Sequence, residues 1–157
     1  MAIFKADAID HKVHDMNGDD IGGTWIGAYS YGDTYPEPIR GKQVAFEINI
    51  AISNGLVNGD CTDEEATPHF KQPALIEGAV HGHSISFIKR YPYYWQQEEN
   101  GPRFLPKMPS QEVYYSGEYN NGQFEGEWEI STELTDAEGN SILYKGVGNW
   151  YMKKLQL

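Results

Sequence analysis

The stretch KQVAFEINIAISNG, residues 42–55, decides the fold class. Val44, Phe46, Ile48, Ile50 and Ile52 alternate with Gln43, Ala45, Glu47, Asn49 and Ala51, the period-two pattern of a strand with one dry face and one wet face. The run ends at Asn54-Gly55, a dipeptide suited to the positive φ angles of a two-residue hairpin, so LVNGDCTD reads as the returning strand.

The same grammar extends outward in both directions. ALIEGAVHGHSISFIKRYP (74–92) reads as two strands turning at His81-Gly82, and EVYYSGEYNNGQFEGEWEIST (112–132) as a hairpin turning at Asn120-Asn121-Gly122. With GTWIGAYSY at 23–31 and SILYKGVGNWYMKK at the end, eight strands are predicted: 23–31, 42–53, 56–62, 74–81, 84–91, 112–119, 123–132 and 142–153. No dozen residues carry apolar groups at helical spacing without glycine or proline intervening. The expectation is an all-β single domain over 1–157, an eight-stranded antiparallel up-and-down β-barrel, with a two-sheet β-sandwich or an open sheet as the alternatives. Residues 1–22 form a lead-in, and 92–111 a long loop or lid.

Face parity argues for curvature. An inward apolar-x-Gly-x-apolar pattern appears as Trp25-Gly27-Tyr29, Ile76-Gly78-Val80, Tyr115-Gly117-Tyr119 and Phe124-Gly126-Trp128. Glycine weakens a strand interior, so this recurrence needs a cause, and barrel closure supplies one: a strand bends most easily where it has no side chain. Glu125, Glu127 and Glu129 share the opposite face of the same strand, which must be solvated. Three G-x-W tripeptides, at 23–25, 126–128 and 148–150, lie on the first strand and the last two. Closure would make the first and last strands neighbours and bring Trp25 and Trp150 together at the seam.

The G-x-W near the start of the first strand, followed by an eight-strand meander with glycine-rich turns, resembles the calycin group: lipocalins, fatty-acid-binding proteins and avidins. GTW at 23–25 and YYSGEYNNGQFEGEW at 114–128 are similar to the avidin-type layout in particular. The resemblance implies the barrel fold more than an activity; no binding residue is carried over from those families.

Composition narrows the partners. The 157 residues carry a formal charge of −11, which opposes binding to nucleic acid or anionic membranes. Cys61 is the single cysteine, the N-terminal residues lack a signal-peptide pattern, and no apolar run is long enough to span a bilayer, so a cytoplasmic protein is expected.

The parity places Trp25, Tyr29, Tyr31, Phe46, Phe87, Lys89, Tyr115, Tyr119, Trp128 and Trp150 inside, and these are the candidate ligand-binding residues. A small barrel either fills with such side chains or holds one ligand, and buried tyrosine hydroxyls could orient it. Lys89 either meets a ligand carboxylate or snorkels to water at the strand end. The expected partner is a small apolar or aromatic molecule, without metal or cofactor. His81 and His83 fall short of the three or four ligands of a zinc site. DMNGDD (15–20) opens like a calcium loop but has Asp20 where the turn needs glycine and Ile26 where the bidentate glutamate belongs. No nucleophile elbow, phosphate loop or Cys-His arrangement is visible, so a barrel enzyme acting on a small hydrophobic substrate is the third and weakest reading. The alternative is a non-catalytic interaction module that forms a homodimer through the loop rings Tyr93, Tyr94 and Trp95.

Overall fold

A computed structural model describes residues 21–156; DMNGDD and the histidines at 11 and 14 lie outside them. Ten strands follow in order: β1 (Gly23–Tyr31), β2 (Gln43–Ser53), β3 (Leu56–Asp63), β4 (Ala74–His81), β5 (Ser84–Arg90), β6 (Tyr94–Glu98), β7 (Gly101–Leu105), β8 (Glu112–Asn120), β9 (Gln123–Thr135) and β10 (Ser141–Lys154). Eight of them close an antiparallel barrel in the order β1-β10-β9-β8-β5-β4-β3-β2, while β6 and β7 form a separate two-stranded ribbon. Because β1 pairs with both β2 and β10, the sheet has no free edge and the sandwich alternative falls.

The alternation in β2 survives closure intact: Val44, Phe46, Ile48 and Ile50 are buried, and Gln43, Ala45, Glu47 and Asn49 are exposed. Asn54 and Gly55 adopt φ of 53° and 78°, as do Asn121 and Gly122 at 53° and 87°, the doubly left-handed turn whose twist matches the strands it joins.

Closure explains the recurrent glycines. A Cβ on Gly27 would lie 1.8 Å from the Tyr151 carbonyl oxygen across the β1–β10 seam, so the chain bends there only because no side chain exists. The same collision with a neighbouring backbone oxygen, at 2.0 Å or less, would arise at Gly59, Gly78, Gly126 and Gly148. These positions are spread over β3, β4, β9 and β10, so the curvature is distributed around the wall.

Two expectations need correction. Trp25 and Trp150 do not meet: the stagger of the closed sheet puts Tyr29 opposite Trp150 and Lys154 opposite Trp25. Trp25 instead packs on Phe124 at 5.3 Å, while Trp150 packs on Phe87 and Tyr115. Residues 92–111 are not irregular, since β6 and β7 pair from Tyr94 opposite Leu105 to Glu98 opposite Gly101. Pro102 obscured this strand. A ribbon of two strands leaves each with a free edge, where a missing N–H costs no ladder bond.

The two ends of the barrel differ. One is closed by the tight turns β2–β3, β4–β5 and β8–β9, and its interior is filled by Trp25, Ile48, Ile50, Val57, Ile85, Phe124 and Met152. The other carries the long connections: 32–42, 64–73, and 91–111 with the β6–β7 ribbon. Here too β9 and β10 run on past their barrel neighbours, Ser131–Thr135 pairing only with Ser141–Lys145.

Candidate functional site

At the open end, inward alternation delivers polar groups instead of apolar ones. Val57 and Cys61 face inward on β3, and the next residue of that parity is Asp63, buried like them. On β5 the parity of Ile85 and Phe87 brings in Lys89, 1% exposed. The Lys89 ammonium lies 3.4 Å from Asp63 Oδ2, so it neither snorkels to water nor waits for a ligand carboxylate.

Asp63 divides its oxygens between two tasks. Oδ1 accepts from the backbone N–H groups of Glu65 at 3.0 Å, Ala66 at 2.6 Å and Thr67 at 3.3 Å, fixing the turn into the short 3₁₀ segment Thr67–His69. Oδ2 accepts from Lys89 and, at 2.6 Å, from the Tyr91 hydroxyl. Burial alone would raise the Asp63 pKa, but Lys89, Tyr91 and the Ala66 and Thr67 amides outweigh it and hold the carboxyl below its ordinary value.

The turn fixed by Asp63 swings Glu65 under the rings of β1. Tyr29 donates to Glu65 Oε1 at 2.8 Å, Tyr31 donates to the same oxygen, and Lys42 pairs with Oε2 at 3.1 Å. Burial first, then the Glu65 charge, push the Tyr31 phenol well above its usual range; Tyr29 rises for the same leading reason. Lys89 also lies against aromatic faces, 4.9 Å from the Tyr29 ring centroid, 4.7 Å from Tyr91 and 5.8 Å from Tyr115.

Above this network opens a cavity of about 380 Å³. Tyr29, Tyr31, Tyr91, Tyr115 and Trp128 contribute to its lower wall, Tyr35 and Trp95 stand at its sides, and Gln97, Thr132 and Tyr144 reach it from the ribbon and the β9–β10 extension. The rings brace one another edge-on: Tyr31 meets Tyr35 at 4.8 Å and Trp128 at 5.7 Å. The β6–β7 ribbon is fastened by Trp95, which meets Tyr91 edge-on at 5.4 Å and stacks on Phe104 at 5.9 Å. A second concavity of about 720 Å³ lies over the outer face, bounded by outward residues such as Glu77, Ser86, Tyr114 and Glu129.

The candidate residues named from sequence therefore divide. Tyr29, Tyr31, Tyr115 and Trp128 line the cavity, and Lys89 sits behind it. Phe46 stacks on Tyr29 at 6.3 Å without lining it. Trp25, Phe87, Tyr119 and Trp150 belong to the packed interior, where Trp150 Nε1 donates to the Ser116 and Glu127 carbonyls at 3.1 Å. Of the loop rings, Tyr94 and Trp95 are buried within the chain, while Tyr93 is half-buried beside Phe70 at 4.6 Å. Among the described residues no three His, Cys, Asp or Glu side chains gather into a group able to hold a metal ion, and no helix is long and apolar enough to cross a membrane.

Sequence reasoning missed Asp63, Glu65, Tyr91 and the ribbon. For Asp63 the signal was present: extending the third strand by one residue places it on the face of Val57 and Cys61.

No protein-family model matches the sequence, and no curated protein matches it. Among solved structures the chain is similar to rhizavidin, at 13% identity over 84% of each chain with a TM-score of 0.43. It is also similar to apo shwanavidin, at 19% identity over 79% of this chain and 93% of that one, with a TM-score of 0.38. The protein is calycin-like in architecture, on the strength of its own closed eight-strand meander.

Proposed function

We propose that the protein binds a small, largely apolar ring compound in the cavity at the open end of the barrel, and does so without catalysing a reaction. The observation that carries this reading is a space of about 380 Å³, walled by rings and set over a polar network whose charges are already paired. That volume falls at the lower end of the range for ligand sites, and its mix of aromatic wall and few polar groups is typical of them. The β6–β7 ribbon serves as one side of a lid, with Trp95 as its anchor.

A set of flat aromatic fragments screened by ligand-observed NMR against the full chain tests this. Binders are expected, and Thr132→Trp, which fills the rim of the cavity, should displace them while leaving the thermal melt cooperative. No binders, or binders indifferent to that substitution, would refute the proposal.

A further inference from the structure

Three hydrogen bonds beneath the cavity, from Tyr29, Tyr31 and Tyr91 to carboxylates, have a fixed direction, and this bears on the ligand. Each tyrosine hydroxyl owns one proton. Tyr29 and Tyr31 give theirs to Glu65, and Tyr91 gives its proton to Asp63. The direction cannot reverse, because both acceptors are carboxylates held in ion pairs, Glu65 with Lys42 at 3.1 Å and Asp63 with Lys89 at 3.4 Å. Of the tyrosines that line the cavity, Tyr29, Tyr31 and Tyr91 thus present phenolic oxygens that retain only lone pairs. The Trp128 N–H is likewise spent, on the Ser30 carbonyl at 3.0 Å.

One acceptor stands apart. Gln97 lines the cavity from β6, and its Oε1 is buried without a hydrogen-bond partner among the described residues. Its amide nitrogen is turned the other way, donating to the Glu98 carbonyl at 3.3 Å. A buried acceptor left unmade costs more than an ordinary hydrogen bond yields, so a ligand that supplies the missing proton gains disproportionately.

Resting on the binding role proposed above, we infer that the cavity takes a neutral, flat heteroaromatic ring carrying an N–H group, which it donates to Gln97 Oε1. Over Tyr29 and Tyr31 a ligand anion would meet phenolic oxygens with no proton to offer and the Glu65 carboxylate behind them, and the lining Lys145 is already paired with Glu129 at 3.2 Å. A ligand cation would compete with Lys89, which already occupies the inner faces of Tyr29, Tyr91 and Tyr115. A neutral donor avoids both conflicts.

The test compares near-isosteres by calorimetric or NMR titration of the full chain: indole, benzothiophene with sulfur in place of N–H, and the charged probes benzoate and benzamidinium. Indole should bind at least about fivefold more tightly than benzothiophene, the worth of one ordinary net hydrogen bond being the lower bound for a buried orphan acceptor, and more tightly than either charged probe. Gln97→Leu should erase the preference for indole while leaving benzothiophene binding intact, a pattern that general loss of structure would not give. Equal affinities, a preference that survives Gln97→Leu, or tightest binding by either charged probe would each overturn the inference and leave ligand binding standing. Binding by none of the four would overturn both.

Discussion

The Lys89 ammonium lies 3.4 Å from the Asp63 carboxylate, with both side chains withdrawn from solvent inside the barrel. The pair links β5 to the end of β3 across Ala74, the small buried residue at the start of β4. Removing one member of a buried pair strands the other charge, at a cost of about 3–5 kcal/mol. Lys89→Met should therefore lower the urea midpoint by that equivalent with an unchanged m-value. A variant as stable as the parent would show that the Tyr91 hydroxyl and the backbone amides suffice to hold Asp63 alone.

Asp63 also sets a pH dependence. Its folded pKa is depressed below the unfolded value, so its contribution is fully present above the unfolded value and is lost as pH falls through the folded one. Stability measured by urea unfolding should fall as pH drops below about 4, the ordinary carboxylate value. In Asp63→Asn, less stable at neutral pH, that acid limb should be shallower, since asparagine has no proton to take up. An identical limb in both proteins would assign the acid sensitivity to other carboxylates.

The barrel was legible in the sequence because its determinants are local: period-two alternation in β2, Asn-Gly turns after β2 and β8, and inward glycines. The site was legible only in part. Tyr29, Tyr31, Tyr115 and Trp128 follow from parity, but their polar partners come from a turn: Glu65 is 36 residues from Tyr29 and 34 from Tyr31. Nothing in TDEEATPH announces that one glutamate turns inward, because the decision is made by Asp63 Oδ1 gathering three backbone N–H groups. The stagger that separates Trp25 from Trp150 is a property of the closed sheet as a whole, which no single strand encodes.

The curvature argument predicts a contrast between two glycines of the first strand and its approach. At Gly27 a Cβ would lie 1.8 Å from a backbone oxygen and 2.8 Å from the Met152 Cα, which only movement of β10 can relieve. At Gly22 the nearest atom among the described residues would be 3.7 Å away, an ordinary contact. Overpacking costs about 1–3 kcal/mol or more where backbone must shift, so Gly27→Ala should reach or exceed that range while Gly22→Ala stays near zero. Equal melting temperatures for the two variants would remove steric relief as the reason for the inward glycines.

Cys61 supplies a reporter of barrel opening. It faces inward from β3, 1% exposed, and burial leads the causes that push its thiol up to about 11, against a lowering pull from Lys89. Only the thiolate reacts, and at pH 8 a group titrating there is about one part in a thousand ionised. A bulky disulfide reagent should therefore leave the native protein unmodified for as long as the barrel stays closed, and label it at a rate that rises with urea in step with global unfolding. Lys89→Met removes the charge that favours the thiolate and also destabilises the barrel, so its labelling should be faster only to the extent that unfolding is. Rapid labelling of the parent without denaturant, at a rate indifferent to urea, would mean that the open end admits the reagent to β3, and the cavity would then be deeper than its ring-lined wall suggests.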